Sequence, residues 1–168
     1  ERFAEQGIEL SPMYPMLRGR LVAINGEAVS QQREGEYSEK DSSRRRGAGR
    51  ELNLSSTLNL PYRNEIVAGE WLSPSSVAQA SVEQDFAERL DIKLNDSLRF
   101  MVGSQQFEVK VSSFRSIDWN TMQPNFFVLL SPDIIQSFPS GYLTSFYLPD
   151  GSGEWMADIM SRFPTLVL

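Results

Sequence analysis

The stretch Asp118-Trp119-Asn120-Thr121-Met122-Gln123-Pro124-Asn125-Phe126-Phe127-Val128-Leu129-Leu130 runs a polar, turn-like segment straight into a dense apolar one. Asp118, Asn120 and Pro124 favour turns, while Trp119 and Met122 put apolar surface on what reads as an exposed loop. Residues 126–130 lack the alternation of a half-buried strand and predict a short strand covered on both faces. Ser131-Pro132-Asp133 is then a helix start: Ser at the N-cap, Pro at the first helical position, Asp where the helix dipole favours negative charge. A strand buried on both faces needs neighbours, and the rest of the chain must supply them.

Candidates lie on both sides. Residues 16–25 alternate, with Leu17, Leu21 and Ala23 on one side and Arg18, Arg20 and Val22 on the other, and Asn25-Gly26 turns the chain. Leu52, Leu54, Leu58 and Leu60 recur at near period two. Residues 66–71 read as another strand, closed by the turn cluster Ser73-Pro74-Ser75-Ser76. Ser81 and Gln84 have the spacing of a capping box, and Val82, Phe86 and Leu90 follow at helical spacing, which predicts a helix over 81–90. Leu98, Phe100 and Val102, then Phe107, Val109 and Val111, alternate around Gly103-Ser104, with Arg99, Glu108 and Lys110 outward; this is a hairpin. Residues 142–148 read as a strand, and Trp155, Ile159 and Phe163 mark a helix stopped by Pro164. A weak amphipathic helix is expected over 1–8, and a last strand from 165 to 168.

The ends thus read as helix and strand, the centre as short strands with one helix. The expected fold is α+β: a discontinuous α/β lobe from 1–30 and 125–168, ferredoxin-like if a strand precedes Glu1, a polar loop over 31–50, and a β-rich lobe over 51–124 inserted between its halves. Within 31–50 the run Arg44-Arg45-Arg46 reads either as part of a solvated loop or as a basic patch for anionic headgroups. The acids Glu34, Glu36, Glu39 and Asp41 favour the first reading.

Composition removes whole classes of function. The 168 residues contain neither cysteine nor histidine. Disulfides, thiolate nucleophiles and Ser-His-Asp machinery are therefore excluded within this chain, and a zinc site is disfavoured. A net charge of -6 opposes binding to nucleic acid. The longest apolar run, 126–130, falls far short of the roughly 20 residues of a membrane helix, and any anchor is expected outside this stretch. There is no G-x-x-x-x-G-K-[ST] phosphate loop. No cofactor is implied. Asp118 and Asp133 are the carboxylates to consider as an acid–base pair, but Asp133 is already explained by its helix terminus. The reading is not an enzyme.

With Arg18-Gly19-Arg20-Leu21 upstream and Leu143-Thr144-Ser145-Phe146 downstream, the opening stretch resembles the extracytoplasmic domain of FtsX/MacB-like ABC-transporter permeases, in particular their YbbP-type subgroup. The likeness runs from Tyr14-Pro15 to Phe163-Pro164 and takes in residues 50–54, 66–69 and 87–90. Asp96-Ser97-Leu98 stands where such permeases carry a Gly-Asp-Thr-like turn, with Asn95 replacing the Gly. The resemblance implies a porter-like α/β lobe interrupted by a Sabre-like β lobe, on the periplasmic face of the inner membrane and without activity of its own. It implies a separate cytoplasmic ATP-binding subunit, hydrophobic or lipid-like cargo drawn from the membrane, and a periplasmic esterase as a further partner. A freestanding extracytoplasmic domain that captures a hydrophobic ligand or a partner protein is the alternative. Trp119, Met122, Pro124 and Phe126 are the candidate contact residues, against their alternative as a lid on the core. Arg18 and Arg20 are candidates to pair with Asp118 or Glu70 across the lobes.

Overall fold

The computed structural model describes residues 8, 10–29, 51–73, 77–121, 123–147, 153–163 and 165. Nearly all of the expected first helix and of the expected last strand, the 31–50 loop and Met122 lie outside them. The elements are β1 (Tyr14–Ile24), β2 (Glu27–Ala28), β3 (Glu51–Ser56), β4 (Asn64–Gly69), β5 (Gln79–Glu83), α1 (Gln84–Leu90), β6 (Ser97–Val102), β7 (Gln105–Ile117), β8 (Val128–Leu130), α2 (Pro132–Gln136), β9 (Gly141–Leu143) and α3 (Gly153–Arg162). The fold is α+β and rich in sheet.

Six of the strands close on themselves. β1 pairs with β3, β3 with β8, β8 with β5, β5 with β7, β7 with β6, and β6 returns to β1. Shared residues put each strand's two partners on opposite flanks: Leu54 faces both Leu17 and Val128, Val82 both Val128 and Phe114, and Phe100 both Leu21 and Phe107. The result is a small barrel, with β2, β4 and β9 paired to its rims. Leu17, Leu21, Leu52, Leu54, Val82, Leu98, Phe100, Val109, Val111, Val128 and Leu130 fill its interior as one apolar cluster. Arg18, Arg20, Glu51, Asn53, Glu108 and Lys110 alternate with them and are exposed, so the inward set follows from period-two patterning. Helices α1 and α2 add Phe86, Ala87, Leu90 and Ile135 to the same cluster.

Gly19 stands where a side chain would not fit: a Cβ there would lie 2.6 Å from Leu54 Cδ1 and 3.2 Å from Val102 Cγ2. β7 carries an extra residue at Ser112, between the pairs Ala80–Val111 and Ser81–Ser113. This bulge switches the parity of the strand, so that Ser113 and Arg115 point outward while Phe114 points in. Strands from both expected stretches take turns around the ring, β1 and β8 from the chain's ends and β3, β5, β6 and β7 from its centre. β9 pairs with the start of β1 (Tyr14 with Leu143, Met16 with Gly141).

Several expectations need correction. Ser81 is not a helix cap. Residues 79–83 are strand, the Ser81 hydroxyl is buried against Ser113 Oγ at 2.8 Å, and Glu83 caps α1 by accepting from Asp85 N and Phe86 N. Ser131 does occupy the N-cap of α2, yet its hydroxyl accepts from Gln79 N (3.1 Å) instead of from its own helix. β3 ends at Ser56, and Leu58 and Leu60 lie beyond it in an exposed connection. The expected strand over 142–148 is cut to Gly141–Leu143, with a single bridge from Phe146 to Leu10 beyond it. Phe163 is exposed past the end of α3, whose buried side is Met156 and Ile159. Trp119 and Phe126 also part company, as follows.

Candidate contact surface

A second, smaller core lies on the outer wall of the barrel. Tyr14, Leu72, Phe126 and Leu129 form it, with Met16, Trp71 and Leu143 packed alongside. Val128 and Leu130 point inward and Leu129 outward, so β8 is covered on both faces as its lack of alternation predicts. Phe126 is buried here, its ring 5.7 Å from that of Tyr14. It belongs to the core and not to the surface, because the chain must turn inward at Phe126 to enter β8. Burial pushes the Tyr14 phenol above its ordinary value.

Trp119 goes the other way. Its side chain is 48% exposed and leans on Phe127 at 5.1 Å between ring centroids. Phe127 stacks on Phe86 of α1 at 5.3 Å, and the Arg89 guanidinium lies 5.9 Å from the centroids of both phenylalanine rings. The half-exposed indole is therefore the outermost member of an aromatic series rooted in the core. Pro124 is half-buried in the same connection.

The connection is held by polar contacts. Asp118 accepts from Arg63 Nη1 at 2.9 Å and from the backbone N of Asn120 at 3.0 Å, and Asp118 N donates to the Arg63 carbonyl. The Arg63 hydrogen bond, seconded by the Asn120 amide, holds the Asp118 carboxyl below its usual range. Arg63 also donates from Nε to Tyr62 Oη, and these contacts raise its pKa. Asp118 is thus committed to Arg63, at the start of β4, and not to Arg18 or Arg20. Those two lie exposed on β1, opposite Asn53 and Glu51 of β3. Asp133 sits in the first turn of α2, where the helix dipole favours its charge.

Beneath the loop lies a group that sequence reasoning missed. Arg115 is fully buried on the outer face of β7. It donates from Nη1 to Asn64 Oδ1 (2.7 Å) and from Nη2 to the Phe126 carbonyl, while Nε is without an acceptor. Burial pushes its pKa down to about 9, opposed by the charge of Glu83. Asn64 in turn donates to the Tyr62 carbonyl and to Asn125 Oδ1, both at 3.2 Å, and Asn125 donates to Thr121 Oγ1. No sequence signal marked Arg115, because the bulge at Ser112 reverses the alternation that would have been extended from the hairpin.

Among the described residues no cluster of His, Cys, Asp or Glu has the makings of a metal site, and no helix is long and apolar enough to cross a membrane. Sequence comparison gives the class: the chain is related to a segment of an ABC transporter permease. Over 165 residues, 98% of its length, it is 35% identical to the uncharacterized ABC transporter permease YbbP of Escherichia coli (strain K12). It spans only 19% of that relative. No protein-family model matches the chain. A crystal structure of a domain of a permease protein from Porphyromonas gingivalis covers 96% of this chain and 74% of that one, at 12% identity and a TM-score of 0.42. That likeness is too distant to carry an argument.

Proposed function

We propose that this chain is the periplasmic domain of an ABC transporter permease that couples ATP hydrolysis in a cytoplasmic subunit to extraction or export of hydrophobic compounds from the inner membrane. The observation that carries this reading is the 35% identity, spread over 98% of the chain, to a segment of a permease. On it, residues 51–124 form the Sabre-like lobe. Residues 1–30 and 125–168 form the porter-like lobe, whose strands β1 and β8 share the barrel with those of the other. The Trp119 loop is the contact surface for apolar cargo or for a partner such as a periplasmic esterase. Its indole is half-exposed yet fixed, an arrangement that offers apolar area at little cost in side-chain entropy.

The test uses the intact permease with its ATP-binding subunit in proteoliposomes carrying an NBD-labelled long-chain acyl ester. ATP-dependent transfer of the probe to acceptor vesicles is expected, and Trp119→Ala is expected to lower it by about tenfold, the loss of one anchoring aromatic. Half-exposure limits the stability cost of that variant to about half of the roughly 3–5 kcal/mol of a buried tryptophan. Absence of ATP-dependent transfer sinks the transport reading. Unchanged transfer in Trp119→Ala sinks the contact surface.

A further inference from the structure

We infer that Arg115 is the positioning residue of the Trp119 loop, setting from inside the barrel wall where the indole stands. Its functional consequence rests on the contact reading above; its structural content does not.

Among its described residues, the 118–127 connection is tied to the body of the protein at both ends. At its start the tie is Asp118 to Arg63, whose side chains are 33% and 56% exposed. An exposed pair of this kind is weak and screened by salt. At its end the tie is buried: one guanidinium on β7 grips both the Phe126 carbonyl and Asn64, and Asn64 reaches back to Asn125. The chain reverses from exposed to buried at this point, where Phe126 enters the outer core and Phe127 meets Trp119 and Phe86. Loss of the Phe126 carbonyl's partner removes the side-chain half of this buried tie, leaving Phe127 held by its backbone bond from Glu83 N (2.8 Å) and its stack on Phe86.

Arg115 is also a poor choice for stability alone. A buried charge is compensated by the Coulomb term only when a carboxylate meets it directly, and an apolar side chain of similar volume does as well or better. Here the carboxylate of Glu83 is spent on capping α1, the guanidinium bonds to two neutral oxygens, and Nε finds no acceptor. What the planar fork does supply is direction: two donors held at a fixed angle, spanning the start of β4 and the end of the loop.

Hydrogen exchange in the intact permease tests the inference. In Arg115→Met, amides within 118–127 are expected to exchange about tenfold faster, while those of the β6–β7 hairpin over 97–110 change by less than about twofold, the mark of a local opening. Asn64→Ala removes one acceptor and the link to Asn125. It is expected to reproduce the same local pattern in milder form, which keeps the test decisive if Arg115→Met does not fold. In transfer of the labelled acyl ester, Arg115→Met combined with Trp119→Ala is expected to lose no more than the worse single variant, since both act through one loop. Exchange that rises evenly over the barrel, or stays unchanged over 118–127 in every variant that folds, overturns the inference, as does failure of both variants to fold. If the loop loosens but transfer is unaffected in all variants, Arg115 positions the loop and it is the contact reading that fails.

Discussion

Gly69→Ala measures how tightly β4 lies against the bulged strand. Gly69 ends β4 with φ 77, and a Cβ there would collide with the Ser112 carbonyl oxygen and stand 2.9 Å from Ser113 Cα. These are backbone atoms, unable to swing aside as a side-chain tip would. Gly103, in the two-residue turn between β6 and β7, has φ 58 and nothing within 4 Å of its would-be Cβ. Both positions carry the left-handed penalty of about 1–2 kcal/mol for a residue with a Cβ. Both also gain the same small benefit from a stiffer unfolded chain, about 0.4–1 kcal/mol. Their difference therefore isolates the steric part, about 1–3 kcal/mol for forced overpacking. At about 2–4 °C per kcal/mol for a chain of this size, Gly69→Ala is expected to melt several degrees, up to about 10 °C, below Gly103→Ala. Thermal unfolding followed by far-UV circular dichroism reads this directly. Equal melting temperatures would refute the close approach of β4 to Ser112, and with it the bulge that turns Arg115 outward.

The buried hydroxyls of Ser81 and Ser113 bond to each other across β5 and β7. Ser113→Ala strands its partner and should cost about 1–3 kcal/mol, while the double variant Ser81→Ala/Ser113→Ala should recover much of that loss; additive losses in urea titrations would show that the pair is not coupled. For Asp118, an NMR titration should place the carboxyl pKa below its ordinary 3.8, with Arg63→Ala moving it back up. The sign follows from the lowered folded pKa: the contribution is present above the unfolded value and disappears as the pH falls through the folded one. A titration that Arg63→Ala leaves unmoved would mean that the pair does not tie the loop.

What was legible in the sequence was whatever local pattern decides. The hairpin stands as its alternation and its Gly103-Ser104 turn dictate, down to Arg99 bonded to Glu108 outside. β1, the Asn25-Gly26 turn and the doubly covered β8 were equally readable, whereas the sequence left Trp119 open between a contact residue and a lid on the core. Closure of the barrel was not. It depends on pairings such as Leu54 with Val128, between strands far apart in the chain, and period-two patterning says which face is buried without saying against whom. The helix start was misplaced because Ser81 meets the chemistry of a cap, yet a cross-strand hydroxyl claims it and Glu83 performs the task. Phe126 was set beside Trp119 because adjacency in sequence does not reveal where a chain dives into its core. Arg115 was hidden by a single inserted residue.

The ring has a further consequence for assembly. β8 is three residues long, comes late in the chain, and fits between β3 and β5, so its arrival zips shut a gap whose two lips were made much earlier. Until then both lips present bare amides and carbonyls, the adhesive state that natural sheets avoid. The closing event also joins residues of large sequence separation, which makes it the slow one. A growing polypeptide with Val128 still to come therefore carries a ready-made hairpin but an open seam. Its safety from neighbours in that interval rests on how soon Val128, Leu129 and Leu130 follow.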